Sequence, residues 1–153
     1  MQFFEQARSQ SNPNSNQHQR RRIGVSGIIA MWLCATVMAT PAFATTAAEQ
    51  MAAFAKQSGE APQSARGQAF FNSTHGQEWS CSTCHTTNPV VDGKHATTAK
   101  VLAPMAPAVN PERFSDAAKS DKWFRRNCKD VVGRECTASE KADIIAWLLT
   151  LKR

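Results

Sequence analysis

The chain lacks an apolar run long enough to form a spanning helix. Its longest, Ile23 to Met38, falls short of the roughly 20 residues required and is interrupted by Gly24, Ser26 and Gly27. The sequence also lacks internal repeats, convincing strand patterns and any β-α-β alternation, which argues against a parallel α/β architecture. It has no second set of closely spaced Cys or His ligands, which a structural zinc site would need.

The absence of a spanning run fits a leader. Residues 1–22 are polar and end in Arg20-Arg21-Arg22, the apolar stretch follows, and Pro41 leads into Ala42-Phe43-Ala44, an A-x-A cleavage pattern. The expectation is an exported, periplasmic protein with residues 1–44 removed and one domain over 45–153. Cys34 would leave with the leader. Of 18 basic and 12 acidic residues, Arg8, Arg20, Arg21, Arg22 and Glu5 would leave too. The remaining 14 and 11 give a net charge of +3, no argument for nucleic-acid binding. A mildly positive surface suits steering of an acidic redox partner.

What the mature chain does contain is Trp79-Ser80-Cys81-Ser82-Thr83-Cys84-His85. Cys-x-x-Cys-His is the attachment pattern for a c-type haem. One helical turn aims the Cys81 and Cys84 sulfurs at two vinyl groups, and His85 offers an imidazole to the proximal side of the iron. The rival reading as a thioredoxin-like redox pair fails for want of a β-α-β context. The other two mature cysteines, Cys128 and Cys136, are eight apart, so in an exported chain a disulfide is the default. Closing that loop constrains the unfolded chain by about 2.6 kcal/mol in the entropy model.

The pattern of the remaining sequence is helical. Residues 46–57 are Ala-rich with Met51, Phe54 and Ala55 on one side, and Ser58 to Pro62 breaks the run. Residues 63–71 carry Gly67, Phe70 and Phe71 on one face, which suits a close crossing with a partner near the C-terminus. From Thr86 to Pro111 there is no sustained period. A loop of this length in a small domain needs a reason, and wrapping a porphyrin edge supplies one. Residues 115–131 read as a helix with Ser115 as N-cap, Trp123, Phe124 and Asn127 sharing a face, and Gly133 as terminator. Thr137-Ala138-Ser139-Glu140 is a capping box opening a helix to about Leu151, with Ile144, Ile145, Leu148 and Leu149 apolar and Trp147 flanking. The fold expected is all-α, a small class I cytochrome c-like arrangement around one covalent haem c.

The residues leave the distal iron ligand open among Met51, Met105, His75, His95 and Asn127. Met51 reads as core, His75 as solvent-facing and His95 as a loop hydrogen-bonder. Met105 would give a closed, low-spin electron carrier. Asn127 stands beside two aromatics and precedes Cys128. Trp123 and Phe124 read equally as haem-pocket lining or as core packing. No distal His/Arg pair of a dedicated peroxidase is evident. Arg125 and Arg126 are expected to point largely away from Asn127.

Arg66-Gly67, Phe70-Phe71, the haem motif, Ala103-Pro104-Met105-Ala106-Pro107, Pro111-Glu112-Arg113-Phe114, Lys122 to Cys128 and Arg134-Glu135-Cys136-Thr137 occur together. This set resembles the SHP family, small oxygen-binding high-spin cytochromes c of bacteria, over about Ala65 to Leu151. The resemblance implies Asn127 as distal iron ligand, a Cys128–Cys136 disulfide beside it, and binding of O2, CO or NO once iron is reduced. It further implies a dihaem cytochrome c and a membrane b-type cytochrome as electron partners. The sequence departs from the expected pattern at Ala99, where Gly is anticipated, and at Met105, a competing ligand. The rival readings are an ordinary His85/Met105 electron carrier and a haem enzyme reducing O2, peroxide or nitrogen oxides.

Overall fold

The computed structural model describes residues 44–152; the expected leader lies outside them except for Ala44. The chain order is α1 (Ala47–Ser58), α2 (Ser64–Asn72), α3 (Cys81–His85), β1 (Gly93–Lys94), β2 (Val101–Leu102), α4 (Ala117–Val132) and α5 (Ala138–Thr150). No described helix is long and apolar enough to cross a membrane.

Local chemistry sets the helix ends. Thr46 and Glu49 form a reciprocal capping box at the start of α1, and Gly59 closes it at φ 73°, a conformation that costs glycine little. Thr137 and Glu140 form the box anticipated for α5. Its Glu140 carboxylate also takes both terminal nitrogens of Arg134, which holds it below the usual carboxylate range. For α4 the cap is Asp116, not Ser115. The Asp116 side chain accepts the Lys119 backbone N–H at 2.9 Å, leaving Ser115 one position too early.

Helices α1 and α2 both pack on α5. The core between them contains Phe71, Ile144, Ile145, Trp147 and Leu148, with Met51, Phe54 and Phe70 against its edge. Trp147 is 4% exposed, whereas Leu149 is 37% exposed. The two therefore exchange the places expected for them. A wide indole at position 147 meets the Phe71 ring at 4.9 Å between centroids, and the helical period then turns Leu149 outward.

The α2–α5 crossing is as close as Gly67 suggests. A Cβ there would overlap the Asp143 carbonyl oxygen and crowd the Ile144 nitrogen. Beside it, the buried Asp143 carboxylate accepts the Gln63 backbone N–H at 2.7 Å and hydrogen bonds from Arg66 Nε and Nη2. Arg66 extends the link to Glu60 and Ser139. Such a pair contributes little beyond its own desolvation cost, but losing one partner leaves a buried charge exposed to the apolar interior.

The segment after the haem motif is not wholly irregular. Gly93 pairs with Leu102 and Lys94 with Val101 in a two-residue antiparallel ladder. This is a correction to the strandless reading, and it escapes periodicity because two residues carry no alternation.

Gly67→Ala is expected to lower holoprotein stability by about 2 kcal/mol, the usual scale of overpacking, as read from denaturant unfolding. A variant as stable as the parent would mean that α2 and α5 can separate freely.

Candidate haem site

Helix α3 is a single turn with its own capping box. The Ser80 hydroxyl accepts the Thr83 backbone N–H at 3.1 Å, and Thr83 Oγ1 accepts the Ser80 N–H at 3.0 Å. These bonds fix Cys81, Cys84 and His85 in one turn before tertiary packing acts. Neither cysteine of the motif is in a disulfide. Burial pushes the Cys81 thiol up to about 11, opposite to the lowered value of a reactive redox cysteine. Among the described residues no group of three His, Cys, Asp or Glu side chains is gathered to hold a metal ion.

His85 is enclosed from both sides in sequence. The Phe71 ring lies 6.4 Å from its ring, and Arg113 comes from downstream. Burial, and then the Arg113 charge, bring its pKa down to about 4. The imidazole is thus neutral at physiological pH, the form that ligates a metal. Two free sulfurs and a neutral imidazole on one turn fit a c-type haem.

Two features of this turn were not read from the sequence. Gly93 lies against it so closely that a Cβ would overlap the Cys84 carbonyl oxygen and approach the His85 Cα to 3.0 Å. Its only sequence signal is a glycine in a loop. Thr86, directly after His85, has φ 65° and ψ 161°, a region almost confined to glycine and costing about 1–3 kcal/mol. Its buried hydroxyl has no hydrogen-bond partner.

The other candidates are dispersed. His75 is half-buried, its Nε2 2.9 Å from the Phe70 carbonyl and its ring 4.2 Å from that of Phe70; the solvent-facing expectation is corrected. His95 is exposed, with its Nδ1 accepting the Thr98 N–H at 3.3 Å. Ala99, in the same loop, has φ 56°, which explains why glycine is the residue anticipated there. Met51 and Met105 are half-buried against the main core. The Met105 and Ala106 backbone N–H groups both donate to the Pro89 carbonyl, at 2.9 and 3.1 Å.

Helix α4 divides the aromatic pair. Phe124 packs inward, edge-on to Phe54 at 5.9 Å and stacked on Phe114 at 6.1 Å. Trp123 is 45% exposed, with the Arg126 guanidinium 5.8 Å from its ring centroid. Phe124 therefore shares the buried face with Cys128, four residues on. Trp123 and Asn127 form the adjoining stripe. Arg126 is drawn to this stripe by Trp123, contrary to expectation, while Arg125 faces Asp121 at 3.9 Å. Cys128 and Cys136 are bonded with Cα atoms 5.6 Å apart, and they form a second small cluster with Val132.

Comparison with known proteins places this arrangement. A family described as Domain of unknown function (DUF1924) matches residues 57–148. Cytochrome c-type protein SHP of Cereibacter sphaeroides is 40% identical over 122 residues, covering 76% of this chain and 94% of that protein. The structure of oxidized SHP, an oxygen-binding cytochrome c, superposes with a TM-score of 0.66 at 40% identity, over 70% of this chain and 98% of that one. The solution structure of Methylophilus methylotrophus cytochrome c'', which concerns the structural basis of haem-ligand detachment, gives 0.63 at 37%, over 70% and 94%. These relatives are cytochromes c and not enzymes, and they imply haem c for this chain.

Gly93→Ala is expected to displace the haem-motif turn and to reduce haem incorporation at least several-fold, measured as pyridine haemochrome per mole of purified chain. Unchanged incorporation would show that β1 yields without disturbing α3. The all-α frame, the haem-motif turn and these likenesses together mean that the chain belongs to the SHP family of cytochromes c.

Proposed function

We propose that this protein is a periplasmic monohaem cytochrome c that transfers single electrons and opens a site for small diatomic ligands when reduced. Cys81 and Cys84 would hold the single covalent haem, and His85 and Asn127 would serve as ligands to its iron. The haem supplies one-electron redox chemistry and an iron centre able to take O2, CO or NO. By family resemblance, a dihaem cytochrome c linked to a membrane b-type cytochrome supplies the electrons.

The observation that carries this reading is the placement of Asn127. It sits on α4 immediately before the disulfide-bonded Cys128, and among the described residues its side chain makes no hydrogen bond that would hold its amide elsewhere. A neutral amide is a weak ligand beside a thioether or an imidazole. Asn127 would therefore hold an iron weakly, and rotation about its side-chain bonds would be enough to move the amide. Its NH2 group would also be able to donate a hydrogen bond to a small ligand. The relatives support such behaviour, since one is an oxygen-binding cytochrome and another is described through haem-ligand detachment.

Met105 is the competing ligand, and spectra separate the two. Oxidised and reduced visible spectra, the latter with and without CO, are expected to show a high-spin reduced form that binds CO readily. Asn127→Ala should alter the ferric spectrum and leave ferrous CO binding intact, and Met105→Leu should change little. A low-spin reduced protein indifferent to CO, converted to high spin by Met105→Leu, would assign His85/Met105 ligation and an ordinary electron carrier.

A further inference from the structure

Helix α1 turns a polar side chain into the core. Gln50 is 4% exposed, on a helix whose other inward positions include Ala47, Met51 and Phe54. Its Nε2 donates to the Phe114 carbonyl and to Thr45 Oγ1, the latter at 2.7 Å. Its Oε1 is buried with no hydrogen-bond partner. Burying an amide with one atom unpaired costs stability, and an apolar side chain would avoid that cost. Packing of the α1 face therefore does not account for an amide at this position.

The carbonyl that Gln50 serves belongs to a strained residue. Phe114 has φ 61°, a region in which a bulky side chain is a genuine outlier. Such a conformation persists only where the surroundings over-determine it. Thr45 Oγ1 donates to the same Phe114 carbonyl at 3.2 Å, and the Thr45 backbone N–H donates to the next carbonyl, Ser115, at 3.0 Å. With Gln50, the N-terminal segment thus pins two consecutive carbonyls just ahead of α4. In the conformation so held, the Phe114 ring stacks on Phe124.

Gln50 and Phe54 are four residues apart and share a face of α1. Phe54 forms one jaw on the Phe124 ring directly, and Gln50 sets the other by holding Phe114. The Cys128–Cys136 bond fixes one point of α4 but leaves its roll about the axis open. The Asp121–Lys141 ion pair acts on that roll through a carboxylate that is 44% exposed, and exposed pairs contribute little. The inward-facing Phe124 ring, clamped from two sides, governs it. Asn127 follows three residues later, so the roll decides where its amide points.

We infer that Gln50 is a positioning residue for Asn127: by holding Phe114 in its strained conformation it sets, through Phe124, the roll of α4 that aims the amide. The inference rests on the proposed role of Asn127 as an iron ligand. Thr45 is the second member of the same clasp.

The test uses holoprotein of the parent, Gln50→Met, Asn127→Ala and Ala52→Gly. Met keeps the approximate volume of the side chain and removes the donor. Ala52 is exposed on the opposite side of α1, so Ala52→Gly weakens the same helix and controls for lost stability. Backbone amide shifts across α4 are recorded by heteronuclear NMR on the reduced, CO-saturated proteins, together with ferric visible spectra and unfolding midpoints. Gln50→Met is expected to move the resonances around Phe124 and Asn127 beyond their positions in Ala52→Gly, and to shift the ferric spectrum toward that of Asn127→Ala. Parental resonances in Gln50→Met, with only the unfolding midpoint lowered, would overturn the inference, because lost stability alone leaves folded-state shifts in place. A ferric spectrum altered by Asn127→Ala and not by Gln50→Met would overturn it too. Moved resonances with a ferric spectrum that neither variant alters would support the link from Gln50 to α4 and remove Asn127 as the ligand. Should Gln50→Met lose its haem, Thr45→Ala takes its place; it removes a donor to the same carbonyl, and unmoved α4 resonances there reject the inference.

Discussion

Everything around the haem-motif turn depends on how closely α2 approaches α5. At Gly67 the two backbones touch, and the Arg66–Asp143 pair locks the same crossing from the side. That approach places Phe71 one turn further along α2. Phe71 then meets Trp147 on one side and stands beside His85 on the other. The apolar surroundings of the imidazole, and with them its neutrality, are in this sense inherited from a glycine 18 residues upstream. A larger residue at position 67 would act on the metal site without contacting it.

Helix α4 is attached by different means. It meets the rest of the fold mainly through side chains. Phe124 is wedged between Phe54 and Phe114, Lys141 lies over the Phe54 ring at 5.0 Å, and the Lys141 ammonium donates to Asp121 at 2.8 Å. Aromatic side chains hold α4 away from α1 and α5, whereas glycine brings α2 against α5. The two contact types divide the molecule's labour: a tight α2–α5 crossing backs His85, and a stand-off helix carries Asn127.

Much of this was legible in the sequence because the determining residues act locally or by period. Thr137 with Glu140, Gly59, Gly133 and the Cys81-to-His85 turn are decided within a few residues. Gly67 announced a close crossing, and the C-terminal apolar run named its partner. What could not be read depends on distant backbone. The place of Gly93 against Cys84 is set by a ladder of two residue pairs. That Arg113 bonds the Ala103 and Pro104 carbonyls is visible only once the loop has been located. The separation of Trp123 from Phe124 turns on a single step of 100° around α4, finer than an apolar pattern resolves when adjacent residues are both aromatic. Trp147 and Leu149 exchanged places for a similar reason, since both are apolar and only packing volume distinguishes them.

The disulfide has a mechanical consequence. Cys128 lies near the C-terminal end of α4 and is tied to Cys136, at the entrance to α5, so the helix resembles a beam pinned near one end. Asn127 is a single residue from the pin, about 1.5 Å along the axis, whereas Ala117 is about 16 Å away. A tilt that carries the far end through a given arc moves Asn127 through roughly a tenth of it. Flexing of the beam is therefore a poor way to move the amide, and torsion about the side-chain bonds of Asn127 is the short route.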